Sequence, residues 1–398
     1  MRSFYDSIFF NVPPLRFPKF TEEWETKPIN DLAVVIGGGT PDTTVKSYWD
    51  GEIQWFTPSE IGKTKYVDLS LRTITEDGLN NSSAKRLPPN TILLSSRATI
   101  GECSLSLREC ATNQGFQSLV SKKCNVDFLY YLIQTKKNDL IRKSCGSTFL
   151  EISANEVRKI QVSIPSDVEQ QKIAGLLSLI DERIATQNKI IEDLKKLKSA
   201  ISKQVFAQKP NGWNRLDTLF SKGKAGGTPT STNKEYYNGE IPFLSINDIT
   251  KQGKYVQYTE NHLSQSGLEN SSAWMVPEYS LIMSMYASVG LVTINEIPIT
   301  TSQAMFAMQL KDKDLLDYLY YYLSYFKYRY IHKYLETGTQ SNINADIVRG
   351  IMIPTYGHSR NMEIASTLQG FDAKIDNELS VLELFNRQKN YLLSQMFI

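Results

Sequence analysis

The side chains best suited to covalent or metal chemistry are scarce in this 398-residue chain, and their spacing builds no site. Cys103, Cys110, Cys124 and Cys145 all fall in the first half, with no two close enough for a CxxC pair. That pattern predicts buried free thiols, with no zinc site or disulfide. His262, His332 and His358 are scattered and share no ligand spacing with the cysteines. No GxxxxGK[ST] phosphate loop occurs; the glycine-rich stretch at 223–227 lacks the spacing and the Lys-Ser/Thr ending, and it reads as a turn. Asp193 and Lys195 are a solvated helix face rather than a nuclease centre, and no Ser–His–Asp or Cys–His arrangement stands out. No catalytic residue, metal or cofactor is therefore expected.

The sequence does offer polar side chains at recurring positions. Thr40 and Thr228 follow a turn, and Arg97 and Tyr286, Asn113 and Ser302, and Gln114 and Gln303 fall at matched segment ends. Ser147 and Thr148 correspond in the same way to Thr339 and Gln340. Lys63, Lys65 and Tyr66 in the first half, and Lys251, Lys254 and Tyr255 in the second, add basic and aromatic groups. Amide side chains can read adenine, and Arg or Lys can read guanine or hold phosphate. All eighteen are candidate DNA contacts. A plainer reading stays open for several: the glutamines fix a turn, the Gly-Ser/Thr loops cap a helix, and Lys63 and Lys65 are ordinary surface. Charge does not decide, because the net is +2 and no basic tail or basic domain is present.

These positions need elements to hold them, and the largest element is easy to find. From Ser166 to Phe206 the chain has no Pro and one Gly. Ile173, Leu177, Ile180, Ile184, Gln187, Ile191, Leu194, Lys198, Ile201 and Val205 follow one another in alternating steps of four and three. This heptad seam predicts a long coiled-coil helix. Pro165 precedes it, Ser166 with Glu169 forms a capping-box signal, and Pro210 and Gly212 lie past its end. At 1.5 Å per residue the rod is about 60 Å long.

The same texture occurs twice. Gly38–Pro41 recurs at Gly226–Pro229, Tyr48–Ile53 at Tyr236–Ile241, Gly78–Ala84 at Gly267–Ala273, and Ile92–Gly101 at Leu281–Gly290. Thr112–Phe116 matches Thr301–Met305, and Asp127–Leu132 matches Asp317–Tyr322. The seam itself returns as Ile364, Leu368, Phe371, Ile375, Glu378, Leu382, Phe385, Lys389, Leu392 and Met396. Each of its residues lies 191 positions after its counterpart, and both copies are polar at the same two steps.

The chain is therefore a tandem duplication of a globule followed by a long helix. The fold class expected is α+β: two similar mixed α/β domains joined by two long antiparallel coiled-coil helices, with an internal pseudo-twofold repeat. The boundaries read as an N-terminal arm 1–30, a first domain 31–165, a central helix 166–208, a second domain 209–354 and a distal helix 355–398. Antiparallel pairing of the rods puts the globules at opposite ends and is favoured, since the KPNGW linker is too short for the chain to double back; pairing of each helix with another molecule is the alternative. Leu176, Leu179, Ile190 and Leu197, and Leu379, Val381, Leu384 and Leu393, lie off the seams. A two-helix coiled coil leaves some of these exposed, so a further hydrophobic partner is expected to dock there. No apolar run reaches the length of a membrane span, and the N-terminus lacks a signal-peptide cleavage pattern. A cytoplasmic location, with no membrane contact, follows.

Taken together, GGTP, the GEI repeat with Trp55-Phe56-Thr57 or Phe243-Leu244-Ser245, Ile92–Gly101, Thr112–Phe116 and the helix start from Pro165 through Glu169, Gln170 and Asp181 resemble the landmarks of one family. It is the specificity subunit of Type I restriction-modification systems, and RFPKFTEEW resembles it too. One departure is Arg360-Asn361 in the second repeat where the first has Glu169-Gln170. The resemblance covers nearly all of residues 15–398. It implies a non-catalytic reader of double-stranded DNA with two target recognition domains, each contacting one half of a split, asymmetric target. It further implies that the helices set the spacing and bind two methyltransferase subunits, that a restriction subunit joins them, and that methyl donor and ATP belong to those partners. A non-catalytic protein-interaction scaffold is the competing reading.

Overall fold

The computed structural model describes residues 11–146, 150–335 and 342–398. The chain divides into two units, Met1–Ile190 with Leu379–Ile398, and Ile191–Glu378. Each is α+β.

Unit 1 begins with an arm that leads into strand β1 (Glu25–Pro28), which pairs antiparallel with β10 (Gln161–Ile164). Between them lie β2 (Ala33–Gly37), β3 (Trp49–Phe56), β4 (Tyr66–Val67), β5 (Arg72–Ile74), β6 (Ile92–Leu94), β7 (Cys103–Ser106), β8 (Cys110–Thr112) and β9 (Gln117–Ser121). They form a five-stranded sheet in the order β2-β9-β6-β7-β4 and a three-stranded sheet in the order β5-β3-β8. Helix α1 (Val126–Thr135) starts where the Asn125 side chain accepts from Phe128 N–H, and it buries Phe128 to Ile133 without a break. A run of six apolar residues buried on every side is a core helix, in contrast to an amphipathic surface one.

Unit 2 repeats this plan strand for strand. Its strands are β11 (Gly212–Arg215), β12 (Phe220–Ala225), β13 (Tyr237–Leu244), β14 (Tyr255–Val256), β15 (Asn261–Leu263), β16 (Leu281–Ser284), β17 (Val292–Asn295), β18 (Thr300–Thr301), β19 (Met305–Leu310) and β20 (Met352–Thr355). The sheet orders are β12-β19-β16-β17-β14 and β15-β13-β18, with β11 paired to β20. The repeat extends to backbone that side chains rarely adopt. Asp50, Asn90 and Ala98 have φ of 61°, 62° and 57°, and their counterparts Asn238, Tyr279 and Ala287 have 60°, 58° and 58°. The first pair sits at the bulge that re-aims β3 and β13.

Two long helices supply both units. Central helix α2 (Asp167–Phe206) gives unit 1 its residues to 190 and unit 2 the rest. Distal helix α4 (His358–Met396) gives unit 2 its residues to 378 and unit 1 the rest. In unit 1 Asp181 pairs with Lys389 at 2.8 Å and Arg183 lies over the Phe385 ring, so the segments run antiparallel. In unit 2 Lys198 pairs with Asp372, and Ile201, Val205 and Phe206 gather with Ile364, Ala365 and Leu368. All twenty seam residues are buried or half-buried.

Each globule's core continues into its helices. In unit 1 the hydrophobic cluster includes Ile173, Leu177, Ile180, Leu392, Met396 and Phe397 with the sheet and α1 residues. Phe397 packs on Trp24 and Phe128. In unit 2 Phe206 packs on Tyr318, Tyr322 and Tyr325 of α3 (Leu316–Arg329).

The expected capping box at Ser166 and Glu169 does not form. Both Glu169 oxygens accept from Arg16 of the arm at 2.7 Å, a bidentate pair in which Glu169 is buried. Gln170 accepts from Asn125 N–H at 3.0 Å and donates to Pro165 O at 3.0 Å, tying the helix start to the turn before α1. In unit 2 Arg360 instead pairs with Glu363, while Asn361 accepts from Tyr356 N–H at 3.0 Å. The amide keeps its job at the helix start; the carboxylate does not. Cys145 also departs from expectation, since it is exposed while Cys103, Cys110 and Cys124 are buried, all four as free thiols.

Candidate nucleic-acid interface

The structure sorts the sequence-predicted site residues into two groups. The first is a cluster of loop tips. In unit 1 the Gly-Gly turn after β2 lies against the turn after β8: Gly39 N–H donates to Thr112 O at 2.8 Å. A Cβ on Gly38 would come within 2.0 Å of Asn113 O, and one on Gly39 within 2.3 Å of Ala84 N. Only glycine lets the two turns approach this closely. Thr40 Oγ1 then donates to Gln114 Oε1, and Trp55 Nε1 holds the turn through Gly39 O at 2.9 Å. A third loop joins by Ser96 N–H donating to Gly115 O at 2.8 Å, which brings Arg97 to the same cluster. Asn113 Oδ1 accepts from Gly115 N–H at 2.9 Å.

Unit 2 builds the same cluster with the same bonds. Gly227 N–H donates to Thr301 O at 2.9 Å, Thr228 Oγ1 donates to Gln303 Oε1, and Met285 N–H donates to Ala304 O at 2.7 Å. Ser302 Oγ accepts from Ala304 N–H. The tips differ. Arg97 is held by Glu151 at 2.8 Å, whereas Tyr286, its counterpart, stands 40% exposed. Gln114 and Gln303 are exposed, each with its amide oxygen engaged by a threonine. That bond aims the amide outward and leaves its N–H groups to donate. Ser147, Thr148, Thr339 and Gln340 lie outside the described residues.

The second group sits beside the long helices, away from this cluster. Lys65 Nζ pairs with Asp127 at 2.6 Å and donates to Ser178 of α2 at 2.7 Å, with its side chain 6% exposed. Lys254 pairs with Asp317 at 2.5 Å, and Gln369 of α4 donates to that same Asp317 at 2.7 Å. Tyr66 and Tyr255 donate to these two aspartates. Lys251 is spent on Glu260. Lys63 is exposed but lines the cleft between β4 and the helices. The structure thus ties Lys65 and Lys254 to the helices: each is a half-buried cation already paired with a carboxylate.

A network that sequence reasoning missed joins globule to helix. Tyr131 donates to Asp181 at 2.6 Å, where Lys389 also binds. Tyr321 donates to Asp372 at 2.6 Å, where Lys198 binds. Burial, and after it the neighbouring carboxylate, pushes the Tyr131 hydroxyl well above its ordinary range, and Tyr321 follows for the same reasons. Both stay protonated donors. The signal was available: Asp181 and Asp372 share the seam's repeat offset, but only as one matched pair among many.

Of the off-seam apolar residues, Leu179, Ile190, Leu197, Leu379 and Leu384 are exposed and Val381 is half-buried. Leu176 and Leu393 are corrected, because both pack onto the core of unit 1. No helix among the described residues is long and apolar enough to cross a membrane.

With this geometry in place, the kinship is plain. The chain belongs to the family described as the Type I restriction modification DNA specificity domain, whose model matches residues 21–196 and again 210–383. It is 33% identical over 258 residues to the Type I restriction enzyme MjaIX specificity subunit of Methanocaldococcus jannaschii, covering 58% of this chain and 60% of that one. It is 29% identical over 175 residues to the EcoR124I/EcoR124II specificity subunit of Escherichia coli, covering 42% and 43%. The aligned part is thus under two thirds of either relative's length. The putative MjaX specificity subunit of M. jannaschii is 23% identical over 417 residues, 96% of this chain and 95% of that one. Among solved structures, the fold is shared with a Type I restriction-modification S subunit from M. genitalium at a TM-score of 0.58, 16% identity and coverage of 97% and 99%. A chain from a study of complex assembly and conformational transition of the type I R-M system gives 0.62, at 16% identity and coverage of 95% and 98%.

Proposed function

We propose that this chain is the non-catalytic, DNA-reading subunit of a Type I restriction-modification complex acting in the cytoplasm. Each globule reads one half of a bipartite, asymmetric duplex target through its loop cluster. The long helices set the spacing and dock two methyltransferase subunits on Leu179, Ile190, Leu197, Leu379 and Leu384. A restriction subunit joins that assembly, and methyl donor and ATP are bound by the partners.

One observation carries the reading. The two loop clusters share their supporting bonds and differ at their tips, as two readers of unlike half-sites should. Thr40–Gln114 and Thr228–Gln303 are the same bond, while Arg97 is replaced by Tyr286 and Asn113 by Ser302 in the second repeat. A side chain whose amide is already oriented meets a base edge at small entropic cost.

The test is co-expression with a Type I methyltransferase partner and sequencing of the methylated positions. A single split motif is expected. Exchange of residues 31–165 for another recognition domain should change one half of that motif and leave the other. Unchanged methylation after the exchange would sink the reading. A scaffold for proteins predicts no sequence-dependent DNA binding at all.

A further inference from the structure

Unit 2 has a groove of about 360 Å³ between α2 and α3 that the loop clusters do not use. Lys195 and Lys203 line it from α2, and Tyr325, Tyr328 and Arg329 from α3; no acidic residue lines it. Lys198 also borders it but is bound to Asp372. Among the described residues, no carboxylate pairs with Lys195, Lys203 or Arg329. Tyr328 stands 83% exposed, with Lys327 Nζ 5.5 Å from its ring centre.

The other repeat shows which of these residues the fold needs. Lys198 and Tyr321 correspond to Lys389 and Tyr131, which make the same bracing bonds in unit 1. The groove's free cations are not kept. Lys195 and Lys203 correspond to Asn386 and Ser394, and Arg329 to Asp139. Tyr325 and Tyr328 correspond to Thr135 and Asn138. Among the described residues, the shared scaffold therefore carries these cations and tyrosines on one copy and not at the matching positions of the other.

The end of α3 also adjoins the loop cluster. Gly290 closes the Tyr286 loop, and a Cβ there would lie 3.2 Å from the Lys327 side chain and 3.3 Å from Ile331. The helix that forms one wall of the groove thus touches the base of the loop that carries Tyr286.

We propose that this groove holds the sugar-phosphate backbone of the duplex flanking the half-site read by unit 2. The proposal rests on the DNA-reading function above. Its side chains at the mouth are hydrogen-bond donors, and phosphate oxygens are acceptors. Lys195 and Lys203 are eight residues apart, about 12 Å along the helix axis, so they meet different phosphates of one strand. Such contacts add affinity and register without reading sequence. An acidic segment of a partner protein would match the charge equally well. Continuity with the Tyr286 loop favours DNA.

The experiment uses the full chain in complex with its methyltransferase partner. Its affinity is measured over a salt series for a duplex bearing the methylated motif and for a scrambled duplex. Replacing Lys195→Asn, Lys203→Ser and Arg329→Ala together should make the slope of log K against log salt shallower by about 2–3, at ~0.9 per lost phosphate contact. The ratio of motif to scrambled affinity should stay unchanged, unlike the effect of Gln303→Ala. Asn386→Ala with Ser394→Ala in unit 1 should leave the slope alone. An unchanged slope in a folded, assembled triple variant overturns the proposal. So does unchanged DNA binding with loss of complex assembly, which would assign the groove to a protein. If the wild-type complex prefers no duplex, the DNA-reading function fails, while a shallower slope on both duplexes still supports the groove.

Discussion

Gln114 and Gln303 are the side chains on which the base-reading proposal can be tested most directly. Each has its amide oxygen held by a threonine hydroxyl and its N–H groups exposed. Replacing either with Ala is expected to weaken binding to the target by about 1–3 kcal/mol while leaving binding to scrambled DNA unchanged. Equal loss on all duplexes, measured by the same titration, would make the glutamine a turn brace. The cysteines allow a second check at this scale. Burial pushes the thiols of Cys103, Cys110 and Cys124 up to about 12, whereas Cys145 is exposed. A thiol reagent at pH 8 should therefore label one cysteine in the folded chain and four in denaturant. Recurrence made Gln114 and Gln303 visible in the sequence, because an amide kept at both copies of a Gly-Gly-contacting turn is tied to that turn. Lys65 and Lys254 recur just as faithfully, yet the structure pairs them with Asp127 and Asp317. Nothing in a single lysine's sequence context shows that a carboxylate of the following helix lies within ion-pair reach.

Among the elements, the long helices were the most legible, since a seam of ten residues in unbroken steps of four and three reads as one coiled-coil helix. The polar steps themselves needed the structure. Lys198 and Lys389 are in the seam because each reaches an aspartate of the opposite helix that a globule tyrosine also binds. This bond set fastens globule to helix twice over. Asp181→Ala leaves Lys389 half-buried without its anion and is expected to destabilise the chain by roughly 3 kcal/mol in denaturant unfolding. A double-mutant cycle with Lys389→Met should show coupling above ~0.5 kcal/mol, and strict additivity would show that the pair contributes nothing. The arm was harder to read. Arg16 and Glu169 are far apart in sequence, and the capping-box pattern at Ser166 offered a local partner that the arm displaced. A buried bidentate pair outweighs one helix-capping bond, so the local signal lost to a tertiary one.

For the whole molecule, the proposed spacing role gives a quantitative expectation. Removing one heptad from α2 and the matching heptad from α4 keeps both seams in phase. It shortens the rod by about 10 Å, or roughly 3 base pairs of duplex. The gap in the methylated motif should contract by that amount. A motif of unchanged spacing from an assembled complex would show that the helices do not measure it. The division of the chain also bears on how it is made. Unit 2 is a continuous stretch, Ile191–Glu378, but unit 1 takes Leu392, Met396 and Phe397 into its core. A ribosome delivers those residues after all of unit 2. The globule synthesised first therefore cannot close until the one synthesised second is already complete. During that interval Trp24 and Phe128 lack the ring that covers them. Order of synthesis and order of folding run in opposite directions along this chain, and the waiting half is the part a chaperone or a protease would meet.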